Sequence, residues 1–195
     1  MLYVQQSLSP DEKIVHIGRF HWAYRAAAVS WIMFGAVVAY FIIHVAVHIE
    51  VTSIIDQRFP SLPEHLQGEA WDRVVKAKGG LIKTILGLHI GVRIAAFLSI
   101  LVGVFMFARM MIIMYVTEIC VTNQRMIYKT GLISRYVGEI SVNRIEGVNV
   151  LQSIMGRLLG YGTIIVRGMG VGEVRLPPIA DPITFRRAIE KARSL

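Results

Sequence analysis

Three histidines and one glycine-rich run are the residues of this chain whose types and spacing could do chemistry. His44 and His48 are four apart, which puts both imidazoles on one face of a helix, and His89 lies in a second apolar region. An antiparallel pair of helices would bring all three to one outer end. Imidazoles at i and i+4 can share a metal ion, and one from each helix can hold a haem. A haem- or metal-binding redox subunit using His44, His48 and His89 is therefore one reading. The plainer one is that histidines at a membrane interface hydrogen-bond headgroups. Only His44 lies within the apolar span, so no cofactor and no metal is expected.

The run "QSIMGRLLGYGTIIVRG", residues 152–168, invites a phosphate-loop reading and resists it. A P-loop needs two glycines with four residues between them, followed at once by Lys and Ser or Thr. Gly156 and Gly160 have three residues between them, and Tyr161-Gly162 follows. Gly168-Met169-Gly170-Val171-Gly172 lies between two strand-like segments, so it reads as a hairpin tip rather than a dinucleotide fingerprint. Neither Gly-x-Ser-x-Gly nor Cys-x-x-Cys nor His-Glu-x-x-His occurs. No nucleophile and base pair stands out, so the chain is expected to be no enzyme and no catalytic residue is assigned. The single cysteine, Cys120, excludes an intramolecular disulfide and suits a small apolar position in a strand.

The elements that must carry these residues follow from composition. Hydrophobic residues make up 54% of the 195 and charged residues only 17%, so part of the chain must live in lipid. Residues 26–47 carry no charge apart from His44 and are long enough, at about 1.5 Å per residue, to cover a hydrocarbon core of about 30 Å. A second helix is expected over about residues 90–112, with Arg93 and Arg109 reaching the interfaces by their aliphatic stems. Gly87 and Gly91 form a GxxxG pair near its outer end that would allow close helix contact. From Tyr115 onward eleven Lys or Arg face six acids, and Arg19 and Arg25 precede the first helix. By the positive-inside rule both termini are expected in the cytoplasm, in a two-pass protein of a bacterial cytoplasmic (inner) membrane. The boundaries are a lead-in over 1–25, a two-helix region over 26–114 with an extracytoplasmic connection at about 48–85, and a domain over 115–195. Within the connection, residues 64–78 have helical spacing with Gly79-Gly80 as a stop, and Trp71 suits a headgroup boundary.

The pattern then changes period. Residues 14–20 and 115–121 read as strands, Thr122-Asn123-Gln124 as a tight turn, and residues 125–129 as a hairpin partner. Short strands continue to Leu176. The chain closes on an amphipathic helix: Asp181 is an N-cap, Pro182 suits the first position, and Phe185, Ala188, Ile189 and Ala192 fall at i, i+3, i+4 and i+7. Ile154, Leu158 and Leu159 are expected to plug one end of the sheet structure, with Gly160 and Gly162 allowing a sharp turn.

Several segments recur in a recognisable order: "VTNQRMI" at 121–127, Gly131, Arg144-Ile145, "VNV" at 148–150, Gln152-Ser153, "GRLLGYG" at 156–162, and Asp181-Pro182. In this order and spacing the chain resembles the bacterial pleckstrin-homology-like family found in small two-helix membrane proteins. The resemblance implies a membrane α-helical hairpin plus a small antiparallel β-barrel or sandwich capped by a C-terminal α-helix. It also implies membrane-associated binding or scaffolding, and no catalytic residues. Pleckstrin-homology domains that bind phosphoinositides cluster cations about the first hairpin. Here that hairpin offers Arg125 and Lys129, which with Arg135 are the candidate lipid or partner contacts. The expected partners are another membrane protein or a second copy of the chain, and anionic lipids, but no nucleic acid.

Overall fold

In chain order, α1 (Leu2–Ser7) and β1 (Ile14–Gly18) lead into four helices, α2 (Trp22–Arg58), α3 (Gln67–Ala77), α4 (Leu81–Gly87) and α5 (Ile90–Val116). There follow β2 (Glu118–Thr122), β3 (Arg125–Thr130), β4 (Tyr136–Ser141), β5 (Ile145–Leu151), α6 (Ile154–Leu159), β6 (Tyr161–Gly168), β7 (Gly172–Arg175), β8 (Ile179–Ala180) and α7 (Pro182–Arg193). The structure is a computed structural model and describes residues 2–63, 66–170 and 172–194. The chain divides into two compact units, one of residues 29–107 and one of residues 1–28 with 108–195.

In the helical unit, α2 and α5 are both long and apolar enough to cross a membrane. Their backbones come close together at Gly35 and Gly103. A methyl group on Gly35 would stand 2.7 Å from the Ser99 carbonyl, and one on Gly103 would stand 2.6 Å from the Trp31 carbonyl. Missing side chains let two backbones touch, the small-residue contact familiar between membrane helices. Gly87 and Gly91 do not play this part: Gly87 ends α4 with open space around it, and Gly91 meets only its neighbour His89. Helix α2 also runs on to Arg58, past the charge-free stretch that ends at Val47. Its continuation is held by a small core of its own, in which Val47, Val51 and Ile55 pack with Ala70, Val75 and Leu88. Trp71 packs on this core and is half-buried. Lys78 pairs with Glu50 across the same contact.

The other unit is an antiparallel sandwich. One sheet has the order β1-β2-β3-β4, and the other has β5-β6-β7 with β8 on β6. The two are joined by a 3-10 turn, Val142–Arg144. Alternation decides which side chains face inward: Ile119 and Val121 of β2, Met126 of β3, Ile140 of β4 and Ile164 and Val166 of β6 form the core. Helix α7 closes it with Phe185, Ile189 and Ala192, and Asp181 accepts from the Thr184 amide as its cap. Helix α5 persists to Val116, so the strand expected from Tyr115 begins at Glu118 instead.

The plug expected from α6 is reversed. Ile154 is 87% exposed and Leu158 76%, and the buried residue of this helix is Gly156, packed on the Tyr161 carbonyl. Ser153 caps the helix through the Gly156 amide and Gly160 ends it in the left-handed conformation, φ 78°. With Gly156 turned inward, Ile154, Met155 and Leu158 face outward, and of the three residues expected to form the plug only Leu159 is half-buried.

Candidate functional site

The outer face of the first sheet carries the densest polar chemistry in the sandwich. Glu118, Cys120, Arg125, Ile127, Lys129 and Glu139 belong to strands β2, β3 and β4, and α1 lies across them as a strap. Val4 of the strap is fully buried against Cys120 and Ile127. The Glu118 carboxylate accepts from the Tyr3 and Val4 amides at 3.3 and 3.1 Å, and so holds the first turn of α1. At the other end of the strap, Arg125 Nη2 donates to the Ser7 carbonyl at 2.7 Å.

Arg125 is the hub. Its Nε and Nη2 donate to the two oxygens of Glu12 at 3.0 and 2.9 Å, and Nη1 donates to Glu139 at 2.8 Å. Glu12 also accepts from the Thr122 hydroxyl at 2.7 Å and from the Ser9 amide at 3.1 Å. Burial alone would push the Glu12 carboxyl up, but the hydrogen bonds from Arg125, Thr122 and Ser9 outweigh it and hold the group below its ordinary range. Glu118 follows the same pattern, its burial outweighed by the two strap amides and by Lys129, 3.6 Å away. Burial and the neighbouring Glu12 and Glu118 push the Cys120 thiol up to about 11.

Of the three cations expected to meet a lipid or partner, Arg125 and Lys129 are thus engaged with carboxylates of their own chain. Arg135 is exposed in the β3–β4 turn and makes no ion pair among the described residues. Sequence reasoning missed Glu12, whose signal was present: Ser9-Pro10-Asp11-Glu12 has the Ser-x-x-Glu spacing of a capping box, and here it closes a turn.

The strand ends divide the domain into two poles. At one lie the Asn123-Gln124 turn, the 3-10 turn and the Gly168–Gly172 hairpin, tied together by Val142 donating to Gln124 and Met169 to Arg144. A polar cleft of about 380 Å³ opens here between Ser9, Gln124, Glu139, Ser141 and the exposed Arg144. Arg125 also lines it, so the hub both fixes the strap and contributes to the cleft. At the opposite pole the chain enters α2 and leaves α5. His21 accepts from the Ala23 amide at 3.2 Å, capping α2, and its ring lies 5.2 Å from that of Tyr161.

The three histidines of the cofactor reading each make a contact close by in the sequence. The His44 ring lies 5.7 Å from Tyr40, His48 Nδ1 is 3.5 Å from the Thr52 hydroxyl, and His89 Nδ1 accepts from the Gly91 amide at 3.1 Å. Among the described residues no group of three or more His, Cys, Asp or Glu is placed to hold a metal ion.

A two-sheet antiparallel sandwich closed by one C-terminal helix is the plan of a pleckstrin-homology-like domain. Residues 76–193 match the family described as bacterial PH domain, and the chain belongs to that family. The match begins within α3, so the helix α5 that leads into the sandwich falls inside it. No curated protein and no solved structure matches the chain.

Proposed function

We propose that this protein is a two-pass integral membrane protein of a bacterial cytoplasmic membrane. Its pleckstrin-homology-like domain acts as a non-catalytic binding module, an accessory or scaffolding subunit for another membrane protein. The observation that carries the reading is the absence of slack between domain and helices. Only Thr117 separates α5 from β2, and only Arg19, Phe20 and His21 separate β1 from α2. Phe20 itself bridges to Ile179, so this short connection is part of the sheet structure. A binding domain joined to its helices twice by such short connections supports a role at the membrane, and its polar pole offers the cleft at Arg144 to a partner. Exposed apolar residues along both helices, Phe34, Phe41, Phe97 and Phe105 among them, support their contact with lipid.

Purification from native membranes in mild detergent, followed by native mass spectrometry, tests this. We expect a colourless, stoichiometric complex with a second membrane protein, weakened by Arg144→Glu in the cleft. A chain that elutes alone, with the same mass before and after crosslinking in the cell, would remove the accessory-subunit reading.

A further inference from the structure

Two groups of large apolar side chains stand out from the sandwich, and both lie at the pole where the chain meets its long helices. The first is the β3–β4 turn, with Leu132 exposed, Ile133 97% exposed and Tyr136 exposed beside them. The second is the outward face of α6, with Ile154, Met155 and Leu158, next to exposed Leu151. Their location follows from hydrogen bonds and register within the domain. The β3–β4 turn starts after Thr130, whose hydroxyl is 3.2 Å from that of Thr117, the residue that follows α5. Helix α6 ends beside Tyr161, whose ring packs on His21, the residue that precedes α2.

Trp22 opens α2 and Tyr115 is the last residue but one of α5, and both are exposed, as aromatic side chains are at the headgroup level. Each apolar group carries an exposed arginine, Arg135 in the turn and Arg157 in α6. Apolar residues interleaved with cations are the pattern of segments that lie in the interface of an anionic bilayer. The far pole is mostly polar, presenting Asn123, Gln124, Asn143 and Arg144 together with the exposed apolar side chain of Met169.

We infer that the domain rests on its own bilayer by two apolar feet. Leu132 and Ile133 form one, and Ile154, Met155 and Leu158 form the other; both enter the headgroup–acyl boundary while Arg135 and Arg157 meet lipid phosphates. The inference rests on the reading of α2 and α5 as membrane spans. It gives a physical reason for the outward-facing α6, and it fixes the domain's orientation so that the polar cleft faces away from the lipid.

The test uses the full-length protein with Cys120→Ala, reconstituted in vesicles of phosphatidylcholine and phosphatidylglycerol. Single cysteines are introduced as Ile133→Cys, Ile154→Cys, Met169→Cys at the far pole and Phe105→Cys in α5, and each is labelled with an environment-sensitive fluorophore. We expect labels at 133 and 154 to shift to the blue and to be quenched by lipids carrying a nitroxide near the headgroup, with little loss to aqueous iodide. The label at 169 should behave oppositely. Quenching of 133 and 154 by iodide alone, with 105 still quenched by nitroxide lipid, overturns the feet and leaves the spans intact. Shielding of 133 and 154 from both quenchers means a protein covers them and also overturns the proposal. Loss of lipid quenching at 105 refutes the spans themselves. Ile154→Asp, which retains the helix cap and the buried Gly156, should lower lipid quenching at 133 without altering the far-UV circular dichroism.

Discussion

Removing the Arg125 guanidinium should release the N-terminal strap, and the size of the effect can be worked from its contacts. The Glu12 side chain has no exposed surface, while those of Arg125 and Glu139 are 26% and 30% exposed. Truncating one partner of a buried ion pair costs about 3–5 kcal/mol, because the other charge is left without compensation. Here water can reach the vacated side of Glu139, and Thr122 and Ser9 still serve Glu12, so Arg125→Met should cost about 2–3 kcal/mol. At about 1.4 kcal/mol per tenfold, the strap-open population rises roughly 30- to 140-fold. Cys120 reports it directly, since it is buried beneath Val4 on the outer sheet face. When the strap reopens and recloses faster than the reagent reacts, labelling by a small thiol reagent scales with that population. Adding Glu12→Gln to Arg125→Met removes the stranded charge and should recover part of the loss. Labelling of Cys120 that stays within about twofold of wild type, with the fold intact, would refute the clamp as the strap's anchor.

The same clamp should respond to acid. Glu12 and Glu118 have carboxyls held below their unfolded range, so their contribution is complete above about pH 4–5 and is lost as pH falls through the depressed folded values. Cys120 labelling, corrected for thiol ionisation, should therefore rise on acidification, and in Arg125→Met that rise should begin at higher pH. In the helical unit, Gly103→Leu should drive α2 and α5 apart, since even a methyl there meets the Trp31 backbone; a crosslink between Cys residues placed at 31 and 102 should then be lost. At the sandwich, Asp181→Ala removes the cap of α7 at a residue with φ 47° and should lower stability by about 1–2 kcal/mol in thermal melts, whereas Asp181→Asn should be nearly neutral.

What the sequence disclosed was local in origin. The Asp181-Pro182 start of α7 and its Phe185–Ala188–Ile189–Ala192 face depend on neighbours within one or two turns, and they stand as read. The Thr122 turn and β1 were legible for the same reason. The clamp was not, because Glu12 and Arg125 are 113 positions apart and nothing in the chain between them announces the pairing. Arg125 and Lys129 looked like free cations because charge alone does not reveal which carboxylates the β2–β3–β4 register brings beside them. Helix α6 misled for a different reason. Large apolar residues near a sheet ordinarily mean core, but Gly156, which can approach the Tyr161 backbone, takes the inward position. The helix pair showed the same limit: glycine spacing pointed to Gly87 and Gly91, whereas contact depends on where two helices cross, at Gly35 and Gly103.

Two-sided thiol labelling tests the proposed arrangement most directly. In cells expressing the Cys120→Ala protein, a membrane-impermeant maleimide is applied before and after lysis to Ser61→Cys, between α2 and α3, and to Ser194→Cys, after α7. We expect Ser61→Cys to react in spheroplasts with intact inner membranes and Ser194→Cys to react only after lysis, with the chain resisting alkaline extraction throughout. Equal reactivity at both sites before lysis, the reverse pattern, or release of the chain by alkali would contradict a two-pass protein with its binding domain in the cytoplasm.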